Sequence, residues 1–233
     1  MGVLTAMHKI AIPEDVLAGV VAQRGSLVRY PELAGPRTAL VVIDLQNVFM
    51  LPGMPVEVPA AREIVPNVNR LAAAMRAAGG KVVWVKMTLA GETESWSVFF
   101  DTDPRGAALE HMTPGAHGHD LHAELDLHAQ DLVVEKRRFS AFIQGSSELD
   151  AILRERGIDT AVIVGTLTNV CCESTARDAM MLNYRIVFVS DANAALTDAE
   201  HNATLTTIVR VFGDVALTDD VIGRLLGRSG AAA

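Results

Sequence analysis

Six stretches of the chain are almost continuously apolar: Thr38–Asp44, Lys81–Met87, Asp131–Lys136, Thr160–Gly165, Arg185–Ser190 and Asp214–Thr218. Runs this short, bounded by polar residues and rich in Val and Ile, predict strands buried on both faces. Between them the apolar positions take a helical spacing. Residues 62–78 are Ala-rich and end at Gly79-Gly80, a helix stop. Residues 146–156 open at Ser146-Ser147-Glu148 and close at Gly157, and 173–183 and 198–211 complete the set. Strands alternating with helices predict an α/β protein: a doubly wound, six-stranded parallel sheet in a three-layer αβα arrangement.

Residues 1–37 stand apart from this alternation. Pro13-Glu14-Asp15 starts a short helical pattern carrying Val16, Leu17, Val20 and Val21, which Gly25 ends. Tyr30-Pro31 and Gly35-Pro36 then read as turns. The expected organisation is an N-terminal helical extension over 1–37, one domain over 38–228 and a frayed tail over 229–233.

Composition narrows the function classes. A chain of 233 residues, half of them hydrophobic and 21% charged, can bury one sizeable core without staples. Lys and Arg total 20 against 28 Asp and Glu, a net charge of -8, which argues against nucleic acid or anionic lipid as partner. The only cysteines, Cys171 and Cys172, are neighbours and cannot staple distant segments. Met1 to Glu14 lacks the pattern of a secretory leader, and no window reaches 18 consecutive apolar residues. The expectation is a soluble, cytoplasmic protein with free thiols.

In doubly wound sheets the chemistry gathers at the carboxyl ends of the strands, where the strand order reverses. Asp44 ends the first predicted strand and Lys136 the third, while the fourth runs through Gly165 into a turn that reaches Cys171. A carboxylate, an amine and a thiol thus arrive at one edge of the sheet. A thiol where the segment from Gly165 to Thr175 enters a helix meets the positive end of the helix dipole, which favours thiolate. The N–H groups of that turn could hold a developing oxyanion. The plainer reading is a free cysteine acting as a small buried hydrophobe. Gly-x-Gly-x-x-Gly after a strand, the phosphate-binding Gly-x-x-x-x-Gly-Lys-Ser/Thr loop and the Gly-x-Ser-x-Gly elbow are all missing.

Three segments carry a resemblance: Ala39 to Asn47 around Asp44, Val134 to Phe142 around Lys136, and Gly165 to Ala179 around Cys171. In this order and spacing the sequence resembles the isochorismatase-like cysteine hydrolases, and the likeness spans about residues 38–218. The superfamily includes nicotinamidases, N-carbamoylsarcosine amidohydrolases, ureidoacrylate amidohydrolases and biuret hydrolases. The resemblance implies the Rossmann-like fold of these hydrolases and a homo-oligomer, dimer or tetramer. It also implies Cys171 as nucleophile, Asp44 as acid/base and Lys136 as the third member of a triad. A non-proline cis peptide is implied at Thr166–Leu167, aiming the N–H of Leu167, with that of Cys171, at the substrate carbonyl oxygen. Cys172, a helical neighbour turned about 100° away, should face the core.

The implied activity is cleavage of a C–N bond in a small amide, ureido or carbamoyl compound through a thioester. An isochorismatase-type vinyl-ether hydrolase and a nicotinamidase-like deamidase are the enzymatic rivals, and a redox switch on the vicinal thiols is the non-enzymatic one. Nicotinamidases bind zinc through Asp-x-His plus another histidine just after the second strand, a pattern missing here. His111, His117, His119, His122 and His128 cluster later, with His119 and His122 spaced as a helical pair, yet read as a polar loop. No metal and no cofactor is expected. Trp96, Phe99 and Phe100 concentrate aromatics after the second strand, and Phe49 follows Asp44. With Phe142 they could wall a small planar substrate, or pack the loop down or meet another subunit. Gln46 and Asn47 could bind a ureido or amide group, or hold the neighbouring loop.

Overall fold

The computed structural model describes residues 7–90, 95–102 and 108–227. In chain order the elements are α1 (Glu14–Arg24), β1 (Thr38–Ile43), α2 (Asn47–Met50), α3 (Val65–Ala77), β2 (Lys81–Met87), α4 (Ser97–Thr102), α5 (Ala108–His111) and β3 (Leu132–Lys136). There follow α6 (Leu149–Glu155), β4 (Thr160–Thr166), α7 (Glu173–Met181), β5 (Arg185–Ala194), α8 (Asp198–Thr207), β6 (Asp214–Ala216) and α9 (Thr218–Leu225). Two π-helical turns, Thr168–Cys172 and Ile208–Phe212, adjoin α7 and α8.

The six strands form one parallel sheet in the order β3-β2-β1-β4-β5-β6. The chain builds outward from β1 to β3, then returns to the other side of β1 to start β4. The reversal between β1 and β4 opens the crevice expected of such sheets. All six residues of β1 are buried, and they alternate between two cores. Leu40 and Val42 meet Val68, Leu71 and Met75 of α3 and Val221 of α9. Ala39, Val41 and Ile43 meet Leu149 and Leu153 of α6, Ala176 and Ala179 of α7, and Leu205 of α8. At Gly165 (φ 122°) a Cβ would overlap the Ile43 carbonyl, so only glycine lets β4 pass so close to the end of β1.

Several boundaries differ from the sequence reading, each for a local reason. β3 is an edge strand rather than one buried on both faces: Val134 and Lys136 point inward while Val133 and Glu135 are exposed. β5 continues past Ser190 to Ala194, with its register against β4 shifted between Ile163 and Gly165. The Asn193 side chain bridges that irregularity, donating to the carbonyls of Ile163 at 2.9 Å and Val189 at 2.7 Å. The sixth strand stops at Ala216 because Thr218 already starts α9, an unpredicted helix. Its first N–H and hydroxyl both donate to Asp191 Oδ1 at 2.8 Å. The helix predicted over 62–78 begins at Val65, since Pro59–Arg62 forms a separate 3₁₀ turn.

Residues 7–37 lie against the sheet domain. Val16, Val20 and Leu33 are buried. The backbone N–H groups of Arg29 and Tyr30 donate to the buried Asp214 carboxylate. Residues 229–233, read from sequence as a frayed tail, fall outside the described residues.

Candidate active site

β1 ends at Ile43, and Asp44 follows with φ 53°. A left-handed conformation costs a non-glycine residue about 1–2 kcal/mol, least for Asp and Asn, and here it turns a carboxylate into the crevice. Lys136 is the last residue of β3, two strands away, and its inward side chain crosses to Asp44. Its Nζ lies 2.8 Å from Asp44 Oδ2, both side chains having no exposure. The same ammonium donates to the Arg138 carbonyl at 3.1 Å and to Cys171 Sγ at 3.5 Å. Cys171 itself sits in the π-helical turn between β4 and α7. The Thr166–Leu167 peptide before that turn is cis.

The electrostatics of the three groups are set by burial first. Burial pushes the Asp44 carboxyl above its ordinary 3.8, and Lys136 holds the rise back. Burial alone would depress Lys136, but the charge of Asp44 and the sulfur of Cys171 keep it above its ordinary 10.5. The Cys171 thiol is raised by burial, with Lys136 opposing. The start of the turn favours thiolate, and burial inside the crevice works against it. A thiol, a carboxylate in direct interaction with it and an ammonium touching both form a set in which one proton can pass from sulfur to Asp44.

Cys171 is 5% exposed, and that exposure faces a cavity of about 660 Å³ counting its open mouth. Phe49 of α2, Met87 of β2, Phe99 and Phe100 of α4 and Phe139 after β3 wall it, and Leu167 and Val170 flank the sulfur. Phe49, Phe99 and Phe100 are thus brought to the thiol. Trp96 is not; it stands behind the wall, stacked on Phe99 at 4.4 Å and edge-on to Phe139 at 4.9 Å, with the Arg138 guanidinium over its ring. Phe142 lies elsewhere too, packed in the α6–α7 core with Tyr184 at 5.3 Å. Phe139, three residues earlier in the same segment, takes the place that sequence reading assigned to Phe142. Nothing in that run distinguishes the two rings, because the loop has no period.

Gln46 and Asn47, weighed as substrate ligands, are engaged by the protein instead. Gln46 is fully buried and clasps Met87, accepting from its N–H at 2.7 Å and donating to its carbonyl at 3.1 Å. It also donates to the His119 carbonyl at 3.1 Å. Asn47 donates to the His117 carbonyl at 3.0 Å, and its Oδ1 lies 3.3 Å from His122 Nδ1. His119 Nε2 pairs with the Thr88 hydroxyl at 2.7 Å. These histidines fasten the loop before β3 to the ends of β1 and β2. Among the described residues, no group of three or more His, Cys, Asp or Glu side chains comes together as a metal site. Cys172 is fully buried beside Cys171, and burial raises its thiol well above the ordinary range. No helix among the described residues is long and apolar enough to cross a membrane.

Comparison with known proteins places this geometry in context. Residues 38–220 match the model of the isochorismatase domain. The chain is 32% identical over 209 residues to a ureidoacrylate amidohydrolase of Acinetobacter baylyi, covering 82% of this chain and 84% of that protein. The crystal structure of a cysteine hydrolase from Pseudomonas syringae pv. phaseolicola superposes with a TM-score of 0.80 at 32% identity, over 87% of this chain and 98% of that one. N-carbamoylsarcosine amidase from Thermoplasma acidophilum gives a TM-score of 0.64 at 31% identity, covering 78% of this chain and 97% of that one.

Proposed function

The chain belongs to the isochorismatase family, and from that membership we propose that it is a cysteine amidohydrolase acting on a small amide, ureido or carbamoyl compound. The observation that carries the mechanism is the buried contact of Lys136 with both Asp44 and Cys171, the latter lining a cavity.

In this reading Asp44 takes the thiol proton as Cys171 Sγ attacks the substrate carbonyl, forming a C–S bond and a tetrahedral oxyanion. The N–H groups of Leu167 and Cys171 stabilise that charge. Asp44 then gives its proton to the departing nitrogen, the C–N bond breaks, and ammonia or an amine leaves behind a thioester. Water, deprotonated by Asp44, adds to the thioester carbonyl; the C–S bond breaks, the acid product leaves, and Asp44 returns the proton to sulfur to restore the thiol. Lys136 holds Asp44 in position and offsets the negative charge that passes between carboxylate and sulfur. A cysteine adjoining an acid and an amine supports C–N cleavage over vinyl-ether hydrolysis, which needs no nucleophilic sulfur.

The test is intact-mass measurement during turnover of a slow amide. A covalent adduct of the acyl mass, mapped to Cys171 and absent in Cys171→Ala, is the expected result. Hydrolysis that persists in Cys171→Ala would remove the proposal.

A further inference from the structure

We propose that the substrate carries an uncharged apolar group, aryl or branched alkyl, beside its scissile carbonyl, rather than the carboxylate of a ureido acid. This rests on the amidohydrolase reading above and narrows it.

The cavity that opens on Cys171 is walled, among the described residues, by apolar side chains throughout. Four phenylalanines, Phe49, Phe99, Phe100 and Phe139, supply most of its aromatic surface. Phe99 already meets Phe100 and Phe139 edge-on, at 5.1 and 5.4 Å between centroids. A further ring entering the cavity extends that edge-to-face cluster, an arrangement aromatic groups favour. Met87 and Met112 complete the lining with unbranched, adaptable side chains that close around alkyl or aryl shapes alike.

A carboxylate would meet the opposite conditions. Loss of its water has to be offset by a cation or several donors. The buried ammonium beneath Cys171, Lys136, is already engaged by Asp44, Cys171, the Arg138 carbonyl and Met87 Sδ. A substrate anion beside Asp44 would also repel the carboxylate that must take the thiol proton. Among the described residues, Arg138 stands over Trp96, behind the aromatic wall, and donates to the Ser95 carbonyl at 3.0 Å.

The experiment compares matched pairs with the full-length protein, so that the reacting group is constant and only its substituent changes. Ammonia release is measured for phenylacetamide against succinamic acid, and for benzylurea against N-carbamoyl-β-alanine. The expected result is at least a tenfold higher kcat/KM for the apolar member of each pair. Phe139→Ala should lower kcat/KM for phenylacetamide mainly through KM, and by a larger factor than for succinamic acid, so that the preference between the two narrows. Preference for the charged members, with a thioester still formed on Cys171, would overturn this inference and leave the amidohydrolase reading standing. Preference for a cationic analogue such as 3-aminopropionamide would overturn it likewise. If none of these compounds releases ammonia or acylates Cys171, both readings fall together.

Discussion

The imidazoles of His8 and His201 stack with their centroids 4.5 Å apart and 18° between their planes, joining the N-terminal segment to α8. His8 Nε2 accepts the Ala195 N–H at 2.9 Å, which leaves its Nδ1–H to donate to Asp198 at 2.7 Å. His201 Nδ1 in turn lies 2.9 Å from the hydroxyl of Thr168, the first residue of the turn that carries Cys171. The strap over residues 8–11 therefore covers a histidine that touches the turn carrying Cys171.

Burial, with the neighbouring His8 ring, lowers His201 from 6.5 to about 4. A depressed histidine binds fewer protons folded than unfolded, so its contribution is complete above pH 6.5 and is lost as the pH falls through about 4. The shift corresponds to roughly 3 kcal/mol. Urea unfolding on either side of that window should show His201→Gln losing less stability on acidification than the parent protein. Equal losses in both would mean that the ring is not held neutral by its surroundings.

Gln46 offers a second check on what holds the crevice in shape. Its amide satisfies the N–H and carbonyl of Met87 and the carbonyl of His119, all away from water. Gln46→Ala leaves three buried backbone groups unpaired, and each such group costs about 1–3 kcal/mol. The expected outcome is a large drop in unfolding free energy, with kcat lost in proportion to the fraction misfolded. A rise in KM at unchanged stability would return Gln46 to the list of substrate ligands.

Gln46 also illustrates which parts of the site were legible beforehand. Strand-end positions are set by period and polarity, so Asp44 and Lys136 could be placed at one sheet edge from the pattern alone. The meeting of the two across β2 and β1 depends on the inward turn of Lys136 on an edge strand, which alternation in Val133–Lys136 already hints at. Loop side chains obey no such rule. Phe139 and Phe142 flank the same stretch, yet one faces the cavity and the other the core. The balance at the thiol is illegible for a related reason: a helix start is visible in sequence, while the depth of the crevice around it is not.

If Asp44 accepts the thiol proton as proposed, its raised carboxyl sets the acid side of the activity profile. Asp44 must be ionised to receive the thiol proton, so kcat/KM should fall as the pH drops through a midpoint above the ordinary 3.8. Lys136, held above 10.5, keeps its charge throughout the neutral range and contributes no fall there. Initial rates on a neutral amide across the acid range locate the midpoint. A midpoint at or below 3.8 would exclude Asp44 as the proton acceptor.

The two thiols should separate cleanly. Cys171 retains 5% exposure toward the cavity, whereas Cys172 retains none and packs in the α6–α7 core. Limiting iodoacetamide should therefore modify Cys171 first, as peptide mass mapping would show. Cys171→Ala should lose on the order of 10⁴-fold or more in kcat, the scale seen when a covalent nucleophile is removed. Cys172→Val, a change of little volume, should cost under about 1.5 kcal/mol of stability and retain most of the rate. Equal loss in both variants would contradict the assignment and revive a role for the vicinal pair.

Asp44 and Lys136 are most informative when changed together. Each is wholly buried, and the pair sits 2.8 Å apart. Removing one partner leaves an uncompensated charge in the crevice, a change that typically costs about 3–5 kcal/mol. Asp44→Asn keeps the shape but accepts no proton, so the rate should fall by at least about 10²–10⁴-fold, the usual worth of a general base. Lys136→Ala should also slow the reaction, because Asp44 then ionises less readily beside a sulfur that Lys136 no longer favours in its charged form. Lys136→Arg retains the charge but not the compact ammonium that reaches both partners, and should recover only part of the rate. In the double variant no lone charge remains buried, so its loss of stability should be smaller than the sum of the two single losses. Its single-turnover rate should likewise be far above the product of the two single effects, since either change alone already disables proton transfer. Urea unfolding and single-turnover kinetics on the parent, the two single variants and the double variant measure both coupling energies. Strict additivity in stability and strict multiplicativity in rate would mean that the two residues act independently, against a shared proton between Asp44, Lys136 and Cys171.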